Sequence, residues 1–166
     1  MLSWNGLCAA LAAFLLACTP ALAQGQGCSA FKWPLERERT LLVNASAVAS
    51  GEGIAPSAGV LLKLVPFADA RLPYAPERAP KKPGSFAGFV NVAAPSAPGV
   101  FRVTLSADGW IDVIQNGRVV KSGDFSGVTG CDGLRKSVKF ELSAQPFVVQ
   151  ITDAPDPTIR LTVTPD

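Results

Sequence analysis

Histidine is absent from this sequence, and Met1 is its only methionine. Without histidine there is no Ser-His-Asp or Cys-His catalytic device, no histidine-ligated zinc or copper, and no iron site of two histidines and a carboxylate. Opposite charges are nearly balanced, at 15 basic and 13 acidic residues, without a long run of one sign. A nucleic-acid partner is therefore not expected. The composition favours a protein that is not an enzyme.

Long apolar runs are missing except at the N-terminus, where residues 7–17 are almost entirely apolar. The sequence ALA at 21–23 follows, which is the small-x-small pattern of a signal-peptidase site. The run is too short for a transmembrane helix, and no later stretch is long and apolar enough to cross a membrane. We therefore predict a signal peptide over residues 1–23 and a single exported domain over residues 24–166.

The same N-terminal stretch allows a second kind of processing. Residues 15–18 read LLAC, which resembles the lipobox of bacterial lipoproteins, and an acylated Cys18 would anchor the chain in the outer membrane. The preferred interpretation is cleavage before Gln24. It predicts a soluble periplasmic or secreted bacterial protein.

Two cysteines remain after the predicted signal peptide, Cys28 and Cys131. An even number of cysteines in an oxidising compartment predicts one disulfide. The bridge would close a loop of about 100 residues, worth roughly 4 to 5 kcal/mol in the chain-entropy treatment. Redox-active pairs are more often closely spaced. With both thiols paired and no histidine, neither a metal nor a cofactor is expected.

Alternation of apolar and polar residues predicts β-strands. The clearest strand covers residues 101–106, where Phe101, Val103 and Leu105 share one face. The same pattern recurs at residues 138–142 and 159–164, and each of these strands is expected to keep one solvent-exposed face. Further strands are predicted at residues 40–45, 60–65, 86–92, 110–115 and 147–151.

Turn sequences separate these strands at short intervals. The dipeptides DG at 108–109 and NG at 116–117 are typical of tight hairpin turns, because both residue types tolerate a positive φ. About eight short strands with this spacing predict an all-β fold, an antiparallel β-sandwich or jelly roll.

Residues 72–84 break the strand pattern with four prolines and three basic residues. We interpret this segment as a stiff, solvated connection between strands. Its two Pro-x-x-Pro spacings leave open an extended segment on which a partner docks.

The first candidate binding feature is Trp110 with Asp112, which a strand places on one face. An aromatic ring beside a carboxylate suits a sugar, because the ring packs against C–H groups while the acid accepts hydroxyl hydrogen bonds. The alternative is that Trp110 is a packing residue. Asp112 would then need a charged partner, for which Arg135 or Lys136 is the candidate.

The second candidate is the loop after Cys131, which carries Asp132, Arg135 and Lys136. A disulfide would hold this loop rigid, and rigid loops make good binding sites. The alternative is an ordinary turn with solvated cations. Residues 153–156 hold two aspartates that could serve calcium, although a turn between the last two strands is the preferred interpretation.

Several short motifs resemble a family of short exported proteobacterial β proteins, and the resemblance covers roughly residues 84–163. The motifs are GSFAG at 84–88, FRV at 101–103, WIDV at 110–113, GC at 130–131 and RKSV at 135–138. Family members have a histidine just before the cysteine, whereas residues 124–129 here read DFSGVT. Some members carry the label homogentisate 1,2-dioxygenase. That enzyme needs iron held by histidines and a much longer chain, so we do not expect its activity here.

Three classes of function fit these observations. The preferred one is a non-enzymatic periplasmic binding or structural module whose partner is an unknown protein or glycan. The second is an accessory subunit of an envelope redox or transport complex, which would present a flat interface. The third is a histidine-free hydrolase, which would show two carboxylates converging in a cleft.

Overall fold

The computed structural model describes residues 27–166, so the predicted signal peptide, Cys18 and the cleavage position lie outside the described residues. The described residues form one α-helix, α1 (Glu36–Val43), and twelve strands. The strands are β1 (Ser46–Val48), β2 (Gly53–Ile54), β3 (Gly59–Lys63), β4 (Val65–Pro66), β5 (Phe86–Val92), β6 (Gly99–Leu105), β7 (Trp110–Gln115), β8 (Arg118–Val119), β9 (Ser122–Gly127), β10 (Lys136–Leu142), β11 (Phe147–Ala154) and β12 (Thr158–Pro165).

The strands form two sheets, which confirms the predicted all-β sandwich. The front sheet has the order β1-β3-β12-β6-β10-β9, and the back sheet has the order β2-β5-β11-β7-β8 with β4 beside β5. Most neighbours are antiparallel, but β1 pairs with β3 and β2 pairs with β5 in parallel. The strand number exceeds the predicted eight because several strands have only two or three residues.

The predicted inward faces form the core between the sheets. Val103 of β6 lies opposite Val138 of β10 on one side and Val163 of β12 on the other. Val113 and Val149 face them from the back sheet within the same buried cluster. Each such side chain contributes roughly 1.5 to 3 kcal/mol by leaving water, so this core is the main source of stability.

The opposite faces of these strands are only partly solvent-exposed, so the prediction of one wet face per strand is only partly correct. Glu141 and Arg160 are exposed as predicted. Thr104, Ser137 and Thr164 are fully buried on the outer side of the front sheet. The chain before β1 crosses this face, where Trp33 Nε1 donates a 3.2 Å hydrogen bond to Ser137. Thr164 donates a 2.6 Å hydrogen bond to Glu38 of α1. Residues 27–45, here called the covering layer, therefore lie on the outer face of the front sheet.

The strand predicted at residues 40–45 is also wrong, because α1 occupies most of that stretch. Glu36 and Glu38 lie in its first turn, where carboxylates interact favourably with the helix dipole. Its buried Leu42 packs into a small second core that also contains Leu35, Val128, Cys131 and Leu134. The burial of Leu42 in this second core stabilises the helix, and tertiary packing of this kind commonly overrides a local pattern.

A glycine allows α1 to approach the sheet closely. A Cβ at Gly59 of β3 would lie 1.9 Å from the carbonyl oxygen of Leu41. No larger residue fits there without moving the helix, so Gly59 sets the contact between the covering layer and the front sheet.

The predicted disulfide joins Cys28 and Cys131, whose Cα atoms are 4.8 Å apart. It links the start of the covering layer to the connection between β9 and β10. The Arg39 guanidinium donates to both sulfur atoms, at 2.8 and 3.1 Å, and to the carbonyl oxygen of Asp132 at 2.9 Å. The bridge therefore fastens the covering layer at its N-terminal end.

The two predicted hairpin turns had different outcomes. Asn116 and Gly117 have φ values of 53° and 72° and join β7 to β8, as expected for a tight hairpin. Asp108 and Gly109 do not form a hairpin, because β6 and β7 belong to different sheets. This dipeptide instead lies where the chain crosses between the sheets. Within residues 27–166 no helix is long and apolar enough to span a membrane.

Candidate functional site

A cleft opens along one side of the sandwich, between an edge of each sheet. Within the described residues, β9 pairs only with β10. β7 pairs with β8 only through Ile114 and Gln115, which leaves residues 110–112 without a strand partner on that side. Between these edges lies a cavity of about 330 Å³.

The cleft has mostly apolar walls. Its lining residues are Glu77, Trp110, Ile111, Val120, Ser122, Phe125, Lys136, Val138 and Phe140. Phe125 lies opposite Val138 in the β9–β10 register, on the core side of the sheet, yet 63% of Phe125 is exposed. An inward-facing aromatic ring that remains exposed marks the place where the back sheet no longer covers the front sheet. Apolar walls with a few polar groups are typical of small-molecule sites.

Lys136 supplies the positive charge of the cleft. Its Nζ donates a 2.5 Å hydrogen bond to the carbonyl oxygen of Gly109 and lies 3.8 Å from Asp108 Oδ1. Burial lowers the pKa of Lys136, and the nearby Asp108 carboxylate offsets this only in part. Burial raises the pKa of Asp108, but Lys136 and Arg135 outweigh burial and hold that pKa below its ordinary value.

The proline-rich residues 72–84, here called the strap, lie on the outer face of the back sheet. Gln150 Nε2 donates a 3.1 Å hydrogen bond to the carbonyl oxygen of Tyr74. The backbone N–H groups of Lys81 and Lys82 donate to Asp153 Oδ1 at 3.1 and 3.0 Å. The strap is a connection without helix or strand, as predicted, but it is fastened to the sheet and is not fully solvated.

Trp110 and Asp112 lie on the same side of β7, as the alternation predicts. Trp110 Nε1 donates a 2.6 Å hydrogen bond to Asp112 Oδ1, and the backbone N–H of Glu77 donates to Oδ2 at 3.3 Å. The prediction that Arg135 or Lys136 would pair with Asp112 is wrong. Asp112 is 1% exposed, and its burial raises its pKa in spite of these hydrogen bonds.

The strap also occupies one face of the Trp110 ring. The guanidinium carbon of Arg78 lies 4.1 Å from the ring centroid, a distance at which a cation is attracted to an aromatic face. The same guanidinium lies 3.6 Å from Asp153 Oδ2. In this arrangement the chain itself contacts the ring face and the Asp112 carboxylate, which are the groups that the sugar hypothesis assigned to a ligand.

The other predicted site residues are divided between two places. Lys136 lines the cleft together with Trp110. Arg135 is close enough to Asp108, beside Lys136, for its charge to lower the pKa of that carboxyl group. Asp132 lies on another part of the surface, where it lines a depression of about 190 Å³ with Arg39 and others. The structure therefore brings Trp110 and Lys136 together and separates them from Asp132.

The aspartates at 153–156 are not arranged for calcium. Asp153 is buried at an irregularity in β11, has a φ of 59°, and accepts hydrogen bonds from the strap. Asp156 is exposed in the turn that follows. Among residues 27–166, no group of three Asp, Glu, His or Cys side chains lies close enough together to hold a metal ion.

Phe125, Ser122 and Glu77 belong to the cleft but were not candidates from the sequence. Phe125 lies in SGDFSG, where the glycines and serines hide the strand alternation. Glu77 lies in the proline-rich stretch, which was interpreted as solvated. Their placement depends on which edges of the two sheets face each other, and that information is not local in sequence.

The described residues define a protein class, an all-β sandwich whose outer sheet faces are partly covered and which has a cleft between the edges formed by β7 and β9. No family model, no curated protein and no solved structure matches this chain. Its function is therefore inferred from the cleft itself.

Proposed function

We propose that this protein is an exported, non-enzymatic binding module that holds a small amphipathic molecule in the cleft. The observation that supports this most strongly is the exposed Phe125, which faces inward above Val138 and Phe140 beside a cavity of about 330 Å³. An apolar body would cover these side chains, and a polar end would reach Lys136 or Ser122.

The expected affinity is modest. Drug-sized ligands gain about 0.3 kcal/mol per heavy atom, so a ligand of about 17 heavy atoms would bind with a Kd of about 0.2 mM. Burial of apolar surface supplies most of this free energy, at roughly 25 cal/mol per Å². A natural ligand with a better match to the polar groups would bind more tightly.

The two alternatives have less support. A carboxylate hydrolase needs two acids that converge on one bond. Among the described residues that line the cleft, Glu77 is the only carboxylate. An accessory subunit would present a flat interface, whereas the cleft is concave and has the volume of a small-molecule site.

Export to the periplasm or the medium is part of the proposal. Its support is the apolar run before residue 24 and the Cys28–Cys131 disulfide, since disulfides persist in oxidising compartments. An intact mass that starts at Gln24 in the periplasmic fraction is expected. A lipid-modified chain that starts at Cys18 in the membrane fraction would show instead that the protein is a lipoprotein.

The binding proposal is tested with N-phenyl-1-naphthylamine, a neutral aromatic dye whose fluorescence rises in apolar sites. We expect saturable binding that is weakened by Phe125→Ser, which removes one wall, and by Ser122→Phe, which fills the mouth. The control Val43→Ser removes an apolar side chain that is 74% exposed on α1, and it should leave binding unchanged. Equal binding by all four proteins, or no saturable binding, would contradict the proposal.

A further inference from the structure

Lys136 occupies a position on β10 that normally belongs to the core. It lies opposite Leu105 in the β6–β10 register, and Val138 and Phe140 follow it on the same face. Its side chain is 21% exposed. A desolvated ammonium is costly unless hydrogen-bond acceptors and negative charge surround it.

The ammonium group of Lys136 makes fewer hydrogen bonds within the described residues than it has hydrogens to donate. It has three hydrogen atoms to donate, but within residues 27–166 it makes one hydrogen bond, to the carbonyl oxygen of Gly109. Asp108 Oδ1, at 3.8 Å, is beyond hydrogen-bond distance. Lys136 also lines the cleft, so its two remaining hydrogens are the donors that we assign to an occupant.

The nearby carboxylates already have other partners. Asp108 Oδ2 lies 3.5 Å from Lys82 Nζ, and Asp153 is held by Arg78 and by backbone N–H groups of the strap. The charged groups that face Lys136 are Asp108 between β6 and β7, Arg135 at the start of β10, Arg78 and Glu77 on the strap, and Asp153 on β11. The two cations among these groups, Arg78 and Arg135, add to the positive potential at Lys136.

Glu77 sets a limit on the charge of the occupant. Glu77 lines the same cleft, and among the described residues its carboxylate makes no ion pair within 4.0 Å. It would repel a second negative charge on a ligand whose first charge pairs with Lys136. The cleft therefore offers one strong anion partner, apolar walls and one acidic group at the mouth.

We infer that the ligand of the cleft is an amphipathic monoanion whose carboxylate pairs with Lys136 while its apolar body lies against Phe125, Val138 and Phe140. This inference rests on the proposed function and specifies the ligand class. Pairing would complete the hydrogen bonding of the ammonium in a poorly solvated place, where charge-assisted hydrogen bonds are strong.

The inference is tested with four ligands that share an eight-carbon chain, namely octanoate, 1-octanol, octylammonium and octanedioate, by displacement of N-phenyl-1-naphthylamine and by calorimetry. We expect octanoate to bind about 10- to 100-fold more tightly than 1-octanol, which corresponds to one charge-assisted hydrogen bond. Octylammonium and octanedioate should bind more weakly than octanoate.

Variants separate the anion site from the apolar walls. Lys136→Met should abolish the advantage of octanoate over 1-octanol, and Lys136→Arg should retain it. The control Lys121→Met removes an exposed lysine outside the cleft lining and should change neither affinity. Glu77→Gln should strengthen the binding of octanoate and, more markedly, of octanedioate, so the inference remains testable even if Lys136→Met does not fold.

The outcomes distinguish this inference from the proposed function. Equal affinity for octanoate and 1-octanol in the wild type, unchanged in Lys136→Met, would overturn the anion inference and leave the binding module in place. Tighter binding of octylammonium than of octanoate would overturn it as well. If neither these ligands nor the neutral dye bind, both the inference and the proposed function are wrong.

Discussion

The Trp110 indole and the Asp112 carboxylate are joined by a 2.6 Å hydrogen bond on the outer side of β7. Asp112 also accepts the backbone N–H of Glu77, which lies in the strap. Since Trp110 and Glu77 both line the cleft, this pair connects the cleft wall to the strap that crosses the back sheet. The strap is therefore a structural part of the site and not a passive connection.

Removal of the Asp112 carboxylate should loosen the strap. Asp112→Ala leaves the Trp110 and Glu77 N–H groups without their acceptor, which should cost about 1 to 3 kcal/mol. The strap carries two trypsin sites, after Arg78 and after Lys81, whereas the bond after Lys82 is resistant because Pro83 follows it. Limited trypsin digestion therefore measures the opening of the strap. We expect faster cleavage at these sites in Asp112→Ala than in the wild type. Asp156→Ala, which changes an exposed aspartate, is the control, and equal rates in all three proteins would contradict the anchoring role.

The pKa of Asp112 predicts a specific pH dependence. Burial raises this pKa, so the folded state binds the proton more tightly than the unfolded state does. The stabilisation is complete below the unfolded-state pKa of about 3.9 and is lost as the pH rises through the folded-state value. Relative to Asp112→Asn, the wild-type free energy of unfolding should therefore fall as the pH rises above the unfolded-state pKa and through the raised folded-state pKa. Urea unfolding at several pH values measures this difference, and a constant or rising difference would refute the assignment.

Glu38 should show the opposite pH dependence. Burial raises its pKa, but hydrogen bonds from Thr164 and Arg37 outweigh burial and hold the pKa below its ordinary value. Its contribution is present above the unfolded-state pKa of about 4.3 and is lost as the pH falls through the lower folded-state value. Glu38→Gln should cost about 1 to 3 kcal/mol at pH 7, and the cost should shrink in acid.

The matched control for Glu38 is Glu36→Gln, which changes an exposed glutamate in the same helical turn. It should alter the free energy of unfolding by no more than about 0.5 kcal/mol. If the two variants lose the same stability at every pH, the buried contact between α1 and β12 does not have the role assigned to it.

The disulfide should stabilise the covering layer more than the sandwich. The double variant Cys28→Ser with Cys131→Ser should lose roughly 2 to 5 kcal/mol, as small exported domains do when they lose a native bridge. Its β-sheet circular dichroism at low temperature should be retained, because the core between the sheets does not involve the bridge. A wild-type melting temperature under non-reducing conditions, or two reactive thiols in the native protein, would show that the bridge is not formed or not stabilising.

The core between the two sheets and the disulfide were predictable, because each depends on short stretches of sequence or on a count of residues. Strict alternation at Phe101, Val103 and Leu105 identifies a face that must be buried, whatever lies opposite it. The disulfide followed from the even number of cysteines after the predicted signal peptide and from the predicted export of the protein. In both cases the physical requirement is visible in short stretches or in a count of residues.

The burial of the outer faces of the sheets was not predictable, because it is not encoded locally in the sequence. Thr162 and Thr164 have the sequence pattern of solvent-facing residues, yet both are fully buried and α1 packs against their strand, β12. Alternation tells which face is apolar but not what covers the other face. Trp110 and Lys136 were correctly placed on or beside strands. Their meeting in one cleft depends on how the edges of β7 and β9 face each other across the two sheets.

The most direct test of the cleft as the binding site is a chemical-shift map recorded by nuclear magnetic resonance during titration with octanoate. Trp110 lines the cleft, whereas Trp33 lies in the covering layer and serves as an internal control. We predict that the Trp110 indole N–H and the backbone signals of β9 and the start of β10 shift in a saturable way, while the Trp33 indole N–H does not. Shifts centred elsewhere, for example on the loops around Ser57 and Pro98, would contradict the assignment of the site.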